Sequence, residues 1–117
     1  MRDKNTSARV RLFVYGTLTD DGLVFELTGR RFQTEPGVLP GYRKIVPTVG
    51  YPYIVADANG TVDGLMLRDV DTEALGRFDS YEDEGRLYRR TEVAVTVAGG
   101  QELAMTYVGI PEALTQF

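Results

Sequence analysis

With no Cys and no His among its 117 residues, the chain offers no thiolate nucleophile, no Ser-His or Cys-His pair, no disulfide and no thiolate or imidazole metal site. Chemistry must therefore run on carboxylates, tyrosines, hydroxyls, arginines, Lys44 or main-chain amides. Two segments concentrate these groups. The first is Phe13-Val14-Tyr15-Gly16-Thr17-Leu18, a strand that ends in Gly and continues into a small hydroxyl residue. Gly16 has no Cβ, so a ligand atom can approach the main chain, and the exposed N–H groups there suit an anion such as a carboxylate or phosphate. The loop has no Lys and no Gly repeat, which separates it from a P-loop, and the same pattern also makes a plain turn.

The second segment is Phe78-Asp79-Ser80-Tyr81-Glu82-Asp83-Glu84-Gly85, with four carboxylates in six positions. One reading is a solvated acidic turn. The other is a general base: a carboxylate turned inward, its pKa raised by like charges and by burial. Glu82, next to Tyr81 at a helix end, is better placed to face inward than Asp83 or Glu84.

These segments need elements to position them. Val10–Tyr15 reads as a buried strand stopped by Gly16, and Leu23–Leu27 as a short helix ended by Gly29. Arg31–Val38 suits a strand cut by Pro36-Gly37, and Tyr42–Val46 a second one after a turn at Pro40-Gly41. Pro47, Gly50 and Pro52 punctuate a loop. Tyr53–Ala56 and Thr61–Leu67 flank Asn59-Gly60, which predicts a hairpin between them. Asp71 is a good N-cap for a helix over Thr72–Asp79 with Leu75 and Phe78 on its apolar side. Tyr88–Val97 alternates Val93, Val95 and Val97 inward, and Gly99-Gly100 turns into an antiparallel partner over Leu103–Val108, with Pro111 ending the ordered pattern. The expectation is an α+β fold: a small mixed, mostly antiparallel β-barrel of six or seven short strands, with two short helices at its rim.

Bulk properties narrow the partners. Residues 1–9 read as a flexible N-terminal tail and residues 10–117 as a single domain, since half of so short a chain would hold no core of its own. No apolar run approaches the roughly 20 residues of a membrane helix, and polar Met1–Ser7 does not resemble a secretion signal, so a cytoplasmic protein without a membrane partner is expected. The net charge of −4 argues against a nucleic-acid partner: the basic pairs Arg30-Arg31 and Arg89-Arg90 sit among acids.

Taken in order, the motifs resemble a known family. Tyr15-Gly16-Thr17-Leu18 matches its opening Y-G-T-L, Pro52-Tyr53 its aromatic step after Pro, and Val62-Asp63-Gly64-Leu65 its V-x-G strand. Leu75 followed by Asp79, Tyr81 and Glu82 matches its L…D-x-Y-E, and Tyr88-Arg89-Arg90 its Y-x-R. The set, ordered from Leu12 to Tyr107, is similar to the γ-glutamylcyclotransferase or AIG2-like family, in the short branch that includes γ-glutamylamine cyclotransferases. The resemblance implies a transferase or lyase that cyclises a small-molecule γ-glutamyl amine or γ-glutamyl peptide to 5-oxoproline, with no metal and no cofactor. It assigns Glu82 as catalytic acid/base and Tyr15, Gly16, Thr17 and Leu18 as the substrate cradle, with Tyr88 and Tyr107 as site-lining tyrosines. The family often has Gly directly after the acid, where this chain has Asp83; a non-catalytic small-molecule-binding module of the same fold is the alternative.

Overall fold

The computed structural model of the chain describes residues 9–114. The expected N-terminal tail falls, apart from Arg9, outside the described residues. Strand β1 (Val10–Val14) leads through a 3-10 turn (Thr17–Thr19) into helix α1 (Asp21–Thr28). Strands β2 (Thr34–Ile45) and β3 (Tyr53–Val70), helix α2 (Thr72–Glu82), strands β4 (Tyr88–Val97) and β5 (Gly100–Gly109) and helix α3 (Pro111–Leu114) complete the order. The five strands close a barrel in the order β1-β3-β2-β4-β5. Every pairing is antiparallel except the closing one, in which β1 meets β5 in parallel. The mixed, mostly antiparallel barrel with helices outside it is the architecture expected from the sequence, with five strands among the described residues in place of the expected six or seven and three short helices in place of two.

The apolar run of β1 explains its place, because successive side chains of a strand face opposite ways and here both faces are covered. Phe13 and Tyr15 join Leu39, Ile54, Met66 and Val95 in a cluster drawn only from strands and the loop after β1, inside the barrel. Leu12 and Val14 join Val24, Ala74 and Phe78 in the cluster that seats α1 and α2 on the barrel's outer face. The closing seam shares a single register pair, Leu12 with Met105. Side chains stitch the rest of it. Thr106 Oγ1, fully buried, donates to the Phe13 carbonyl at 2.9 Å, Arg11 donates to the Leu103 carbonyl at 3.1 Å, and the Tyr15 hydroxyl donates to the Tyr107 carbonyl. A buried carbonyl left unpaired is costly, so these bonds are what permit so sparse a ladder.

Three local expectations fail, each for a physical reason. Pro36-Gly37 and Pro40-Gly41 do not divide β2; it runs on for 12 residues, with a register shift between Pro40 and Tyr42 where Gly41 takes φ 88°. The prolines are tolerated because the second edge of β2 meets β4 at only one register pair, Val38 with Thr96. Asn59-Gly60 does not make a hairpin either. Both arms pair with β2 instead of with each other, Ala56 with Tyr42 and Thr61 with Pro40, and neither Asn59 nor Gly60 takes positive φ. Residues 57–60 bulge out of one long strand, and Gly60 is needed for closeness: a Cβ there would lie 2.4 Å from the Tyr42 carbonyl oxygen. The true hairpin joins β2 to β3 through the loop 46–52. Finally, Pro111 opens a short helix rather than ending the order, and Leu114 is buried beneath the sheet.

Gly64 of the V-x-G strand crosses β1 at its tightest point, where a Cβ would meet the Val14 carbonyl oxygen at 2.2 Å and the Phe13 ring at 2.7 Å. Both obstacles belong to the buried strand that leads into the first candidate segment. Gly64→Ala is therefore expected to lower unfolding free energy by about 2 kcal/mol or more in denaturant titration; a loss below about 0.5 kcal/mol would contradict this packing.

Candidate functional site

The turn after β1 and the end of α2 line one cavity of about 290 Å³. Tyr15, Gly16, Thr17 and Leu18 form one wall; Ser80, Tyr81, Glu82 and Asp83 form another. Tyr51, Pro52 and Leu87 flank the opening, and Tyr88 and Tyr107 rise from β4 and β5. The seven residues to which the resemblance gave a role, Tyr15, Gly16, Thr17, Leu18, Glu82, Tyr88 and Tyr107, thus lie on the same cavity. A direct bond ties the two walls together, between Thr17 Oγ1 and the Tyr81 hydroxyl at 2.9 Å across 64 residues of sequence.

Local chemistry sets each wall. Gly16 opens the 3-10 turn, and a Cβ at that position would meet no atom within 4 Å, so its face toward the cavity is open. Thr19 and Asp20 N–H groups turn back onto the Gly16 and Thr17 carbonyls at 3.0 and 3.1 Å. The N–H groups that begin such a turn have no carbonyl of the turn to bond. Asp20 then caps α1, accepting from the Gly22 and Leu23 N–H groups, which starts that helix two residues before the expected Leu23. From β2, Lys44 Nζ donates to the Tyr15 carbonyl at 2.8 Å and holds the strand end in place.

On the other wall, α2 begins as expected at the Asp71 cap, whose carboxylate accepts from the Ala74 N–H. It runs one turn past the expected Asp79, to Glu82. There Asp83 takes the left-handed conformation (φ 58°) and the chain closes with a Schellman pair: Glu84 N–H to the Asp79 carbonyl at 2.9 Å and Asp83 N–H to the Ser80 carbonyl at 3.3 Å. Glu82 is consequently the last residue before the reversal.

Glu82 is part-buried, and no hydrogen bond or ion pair to its carboxylate is found among the described residues. Burial alone pushes its pKa from 4.5 up to about 7. The crowding of like charges expected from the sequence is not the cause. Asp83 turns to Arg86, whose Nε lies 2.6 Å from its carboxylate, Asp79 pairs with Arg90, and Glu84 is exposed. The negative charge of Glu82 is felt across the cavity, where it helps to raise the pKa values of Tyr15, Tyr88 and Tyr107, each raised first by burial.

The three tyrosines build the cavity through their hydroxyls. Tyr15 donates to the Tyr107 carbonyl, Tyr88 to the Pro52 carbonyl at 2.8 Å, and Tyr107 to Asp79 Oδ1 at 2.7 Å. With those protons committed, the groups facing the cavity include ring faces, hydroxyl oxygens, the turn amides and the Glu82 carboxylate, while the second carboxylate of the lining, Asp83, is paired with Arg86. Among the described residues no Lys or Arg lines it. Sequence reasoning gave no role to Asp79, Tyr81 or Lys44 as parts of the site. Their signal is spatial, since each acts through a partner at least 28 residues away. Among the described residues no group of three or more His, Cys, Asp or Glu side chains gathers to hold a metal ion, and no helix is long and apolar enough to cross a membrane.

The chain is similar in sequence and fold to known proteins. The profile of the gamma-glutamyl cyclotransferase, AIG2-like family matches residues 12–116. A Methanocaldococcus jannaschii protein, named as a gamma-glutamylcyclotransferase with a proposed RNase activity, is 31% identical over 101 residues, which span 86% of this chain and 46% of that protein. Protein AIG2 C of Arabidopsis thaliana is 31% identical over 102 residues, 85% of this chain and 61% of its own length. The chain therefore spans about half the length of these curated relatives. The solution structure of another Arabidopsis thaliana protein superposes with a TM-score of 0.80 at 27% identity, covering 96% of this chain and 71% of that one.

The residue after Glu82 follows from its backbone. A left-handed conformation suits Gly, is tolerated by Asp and penalises a β-branched side chain. Asp83→Gly is expected to fold with stability within about 1 kcal/mol of the parent, while Asp83→Val loses about 1–2 kcal/mol in denaturant unfolding. Equal stability of the Val and Gly variants would contradict the left-handed turn.

Proposed function

The chain belongs to the gamma-glutamyl cyclotransferase, AIG2-like family, and on that premise we propose that it is an enzyme that cyclises a γ-glutamyl amine or γ-glutamyl peptide to 5-oxoproline, with Glu82 as its acid/base. One observation carries the reading: the Glu82 carboxyl sits in the cavity without a partner, opposite the open amides after β1, with a pKa of about 7. A carboxyl poised there is half-ionised near neutrality, the condition under which one group both takes and returns a proton.

The reaction needs little else. The substrate's α-nitrogen attacks its own γ-carbonyl carbon; the new C–N bond closes the five-membered ring and the bond to the leaving nitrogen breaks. The attacking amine arrives as an ammonium and must lose two protons to become the ring N–H. Glu82 accepts the first, freeing the lone pair for attack, and after the C–N bond forms it relays the second, so that the departing nitrogen gains both and leaves as an ammonium. The substrate supplies the nucleophile, which suits a chain with neither Cys nor His. The α-carboxylate of the substrate would lie against the amides of Gly16, Thr17 and Leu18, whose partial positive charge opposes it. Tyr15, Tyr88 and Tyr107 would enclose the glutamyl carbons, holding amine and carbonyl in contact, and such positioning lowers a cyclisation barrier by several kcal/mol.

Purified protein is expected to release 5-oxoproline from a γ-glutamyl amine, and Glu82→Gln to slow release by about 10²–10⁴-fold with an unchanged circular dichroism spectrum. Because the base form is required, kcat/KM should fall as pH drops below about 7. A Gln variant with unchanged turnover would overturn the assignment of Glu82, and tight binding without turnover by the parent would favour a non-catalytic module. The same pKa shift bears on stability. A carboxyl whose folded pKa exceeds its unfolded value favours the folded state at low pH, and that contribution is lost as pH rises from about 4.5 to about 7. Glu82→Gln should therefore raise Tm relative to the parent at pH 8 but not at pH 4; an equal Tm difference at both would contradict the burial of the charge.

A further inference from the structure

Two side chains that stand opposite each other on β4 and β5, Arg90 and Tyr107, converge on one carboxylate of α2. Tyr107 donates to Asp79 Oδ1 at 2.7 Å, and the Arg90 guanidinium pairs with Asp79 Oδ2. Both oxygens of Asp79 are thus held, from two strands, at a point three residues before Glu82. We propose that Asp79 is a positioning residue of the site, fixing the last turn of α2 so that the Glu82 carboxyl is held inside the cavity.

The reason lies in how α2 is anchored. Its apolar contacts come from Ala74 and Phe78, which are buried, and from half-buried Leu75, with Phe78 packed 6.2 Å from the Phe32 ring. Beyond Phe78 the helix has no buried apolar side chain: Ser80 is exposed and Tyr81 is 40% exposed. An unpartnered carboxylate gains hydration by swinging outward, so burial pushes Glu82 away from the position it occupies. Something in that last turn must resist. Asp79 does so twice, through its side chain and through its main-chain carbonyl, which accepts the Glu84 N–H and closes the reversal around Glu82. A second tie fixes the far side of the reversal, from the Arg90 N–H to Glu84 Oε2 at 3.2 Å. The clamp also reaches the opposite wall, since the Tyr107 carbonyl accepts the Tyr15 hydroxyl. A continuous path of hydrogen bonds, Tyr15 to Tyr107 to Asp79, sets the spacing between the turn amides and Glu82.

The groups that face the Glu82 region are Tyr15 from the turn after β1, Tyr51 from the loop before β3, Tyr81 from α2 and Asp83 just past its end, Tyr88 and Arg90 from β4 and Tyr107 from β5. Removing Asp79 would leave the Arg90 cation unpaired, which by itself lowers the pKa of a nearby carboxyl. Tyr107→Phe removes one prong of the clamp with no change of charge in the folded protein, so it is the discriminating variant.

The proposal rests on Glu82 being the acid/base, and its test reads that residue directly. With glutamate labelled by carbon-13 at the side-chain carboxyl, the resonance lost in Glu82→Gln is followed by NMR from pH 3 to 9 in the parent, in Tyr107→Phe and in Asp79→Asn. The parent midpoint is expected near 7. In both variants the midpoint should fall by about one pH unit or more as the carboxyl reaches water, with kcat at least about tenfold lower. A merely structural role would lower Tm and leave the midpoint in place. Folded variants that keep the parental midpoint would overturn the proposal. A parental midpoint near 4.5 would overturn the reading of Glu82 itself, a different failure visible before any variant is measured.

Discussion

A carboxylate partly withdrawn from water without a counter-charge is the constraint on which this structure turns. Left to itself, Glu82 would rotate outward or be exchanged for a neutral group, because desolvating a charge is among the most costly things a fold can do. The surrounding architecture reads as a set of answers to that cost. Helix α2 runs to the residue that must face inward and is then reversed at once by a left-handed Asp83. The remaining carboxylates of the acidic segment are drawn off: Asp79 to Arg90, and Asp83 to Arg86. What is left in the cavity is one acid whose proton is shared with neither cation nor hydroxyl among the described residues.

Barrel closure is the second requirement, and it explains why two segments so distant in sequence meet. The parallel seam between β1 and β5 has one ladder pair and is completed by side chains. One of those, Tyr15, is also the first residue of the cradle, so the bond that closes the barrel sets the position of the turn amides. Its acceptor residue, Tyr107, then reaches α2 through its own hydroxyl. Structure and site share the same atoms here, and the tyrosines serve the cavity chiefly as its frame. The absence of His and Cys fits the proposed reaction, in which a substrate that brings its own nucleophile would need only to be folded, held and relieved of protons.

Much of this was legible in the residues, and the part that was not has a consistent cause. Alternation placed Val93, Val95 and Val97 inward and the apolar run placed β1 in the interior, because burial acts locally on side-chain type. Asp71 and Gly29 marked helix ends through bonds to their own neighbours. The turn reading of Asn59-Gly60 failed because long-range pairing with β2 outweighed local preference, and the closeness of the Tyr42 carbonyl gave Gly60 a different purpose. The candidate site residues were picked out by motif order, and the cavity that joins them is a property of the closed barrel. Asp79 stood in the sequence as a motif residue without a role; the convergence of Arg90 and Tyr107 on its carboxylate is a long-range feature that no local pattern carries.

The account stands or falls on where the product sits. A crystal structure of the protein with 5-oxoproline bound would test it most directly. The expected result is a product carboxylate on the N–H groups of Gly16, Thr17 and Leu18, with the Glu82 carboxyl within about 3 Å of the ring nitrogen. A ligand bound elsewhere, or Glu82 turned to solvent while the cavity is filled, would contradict it.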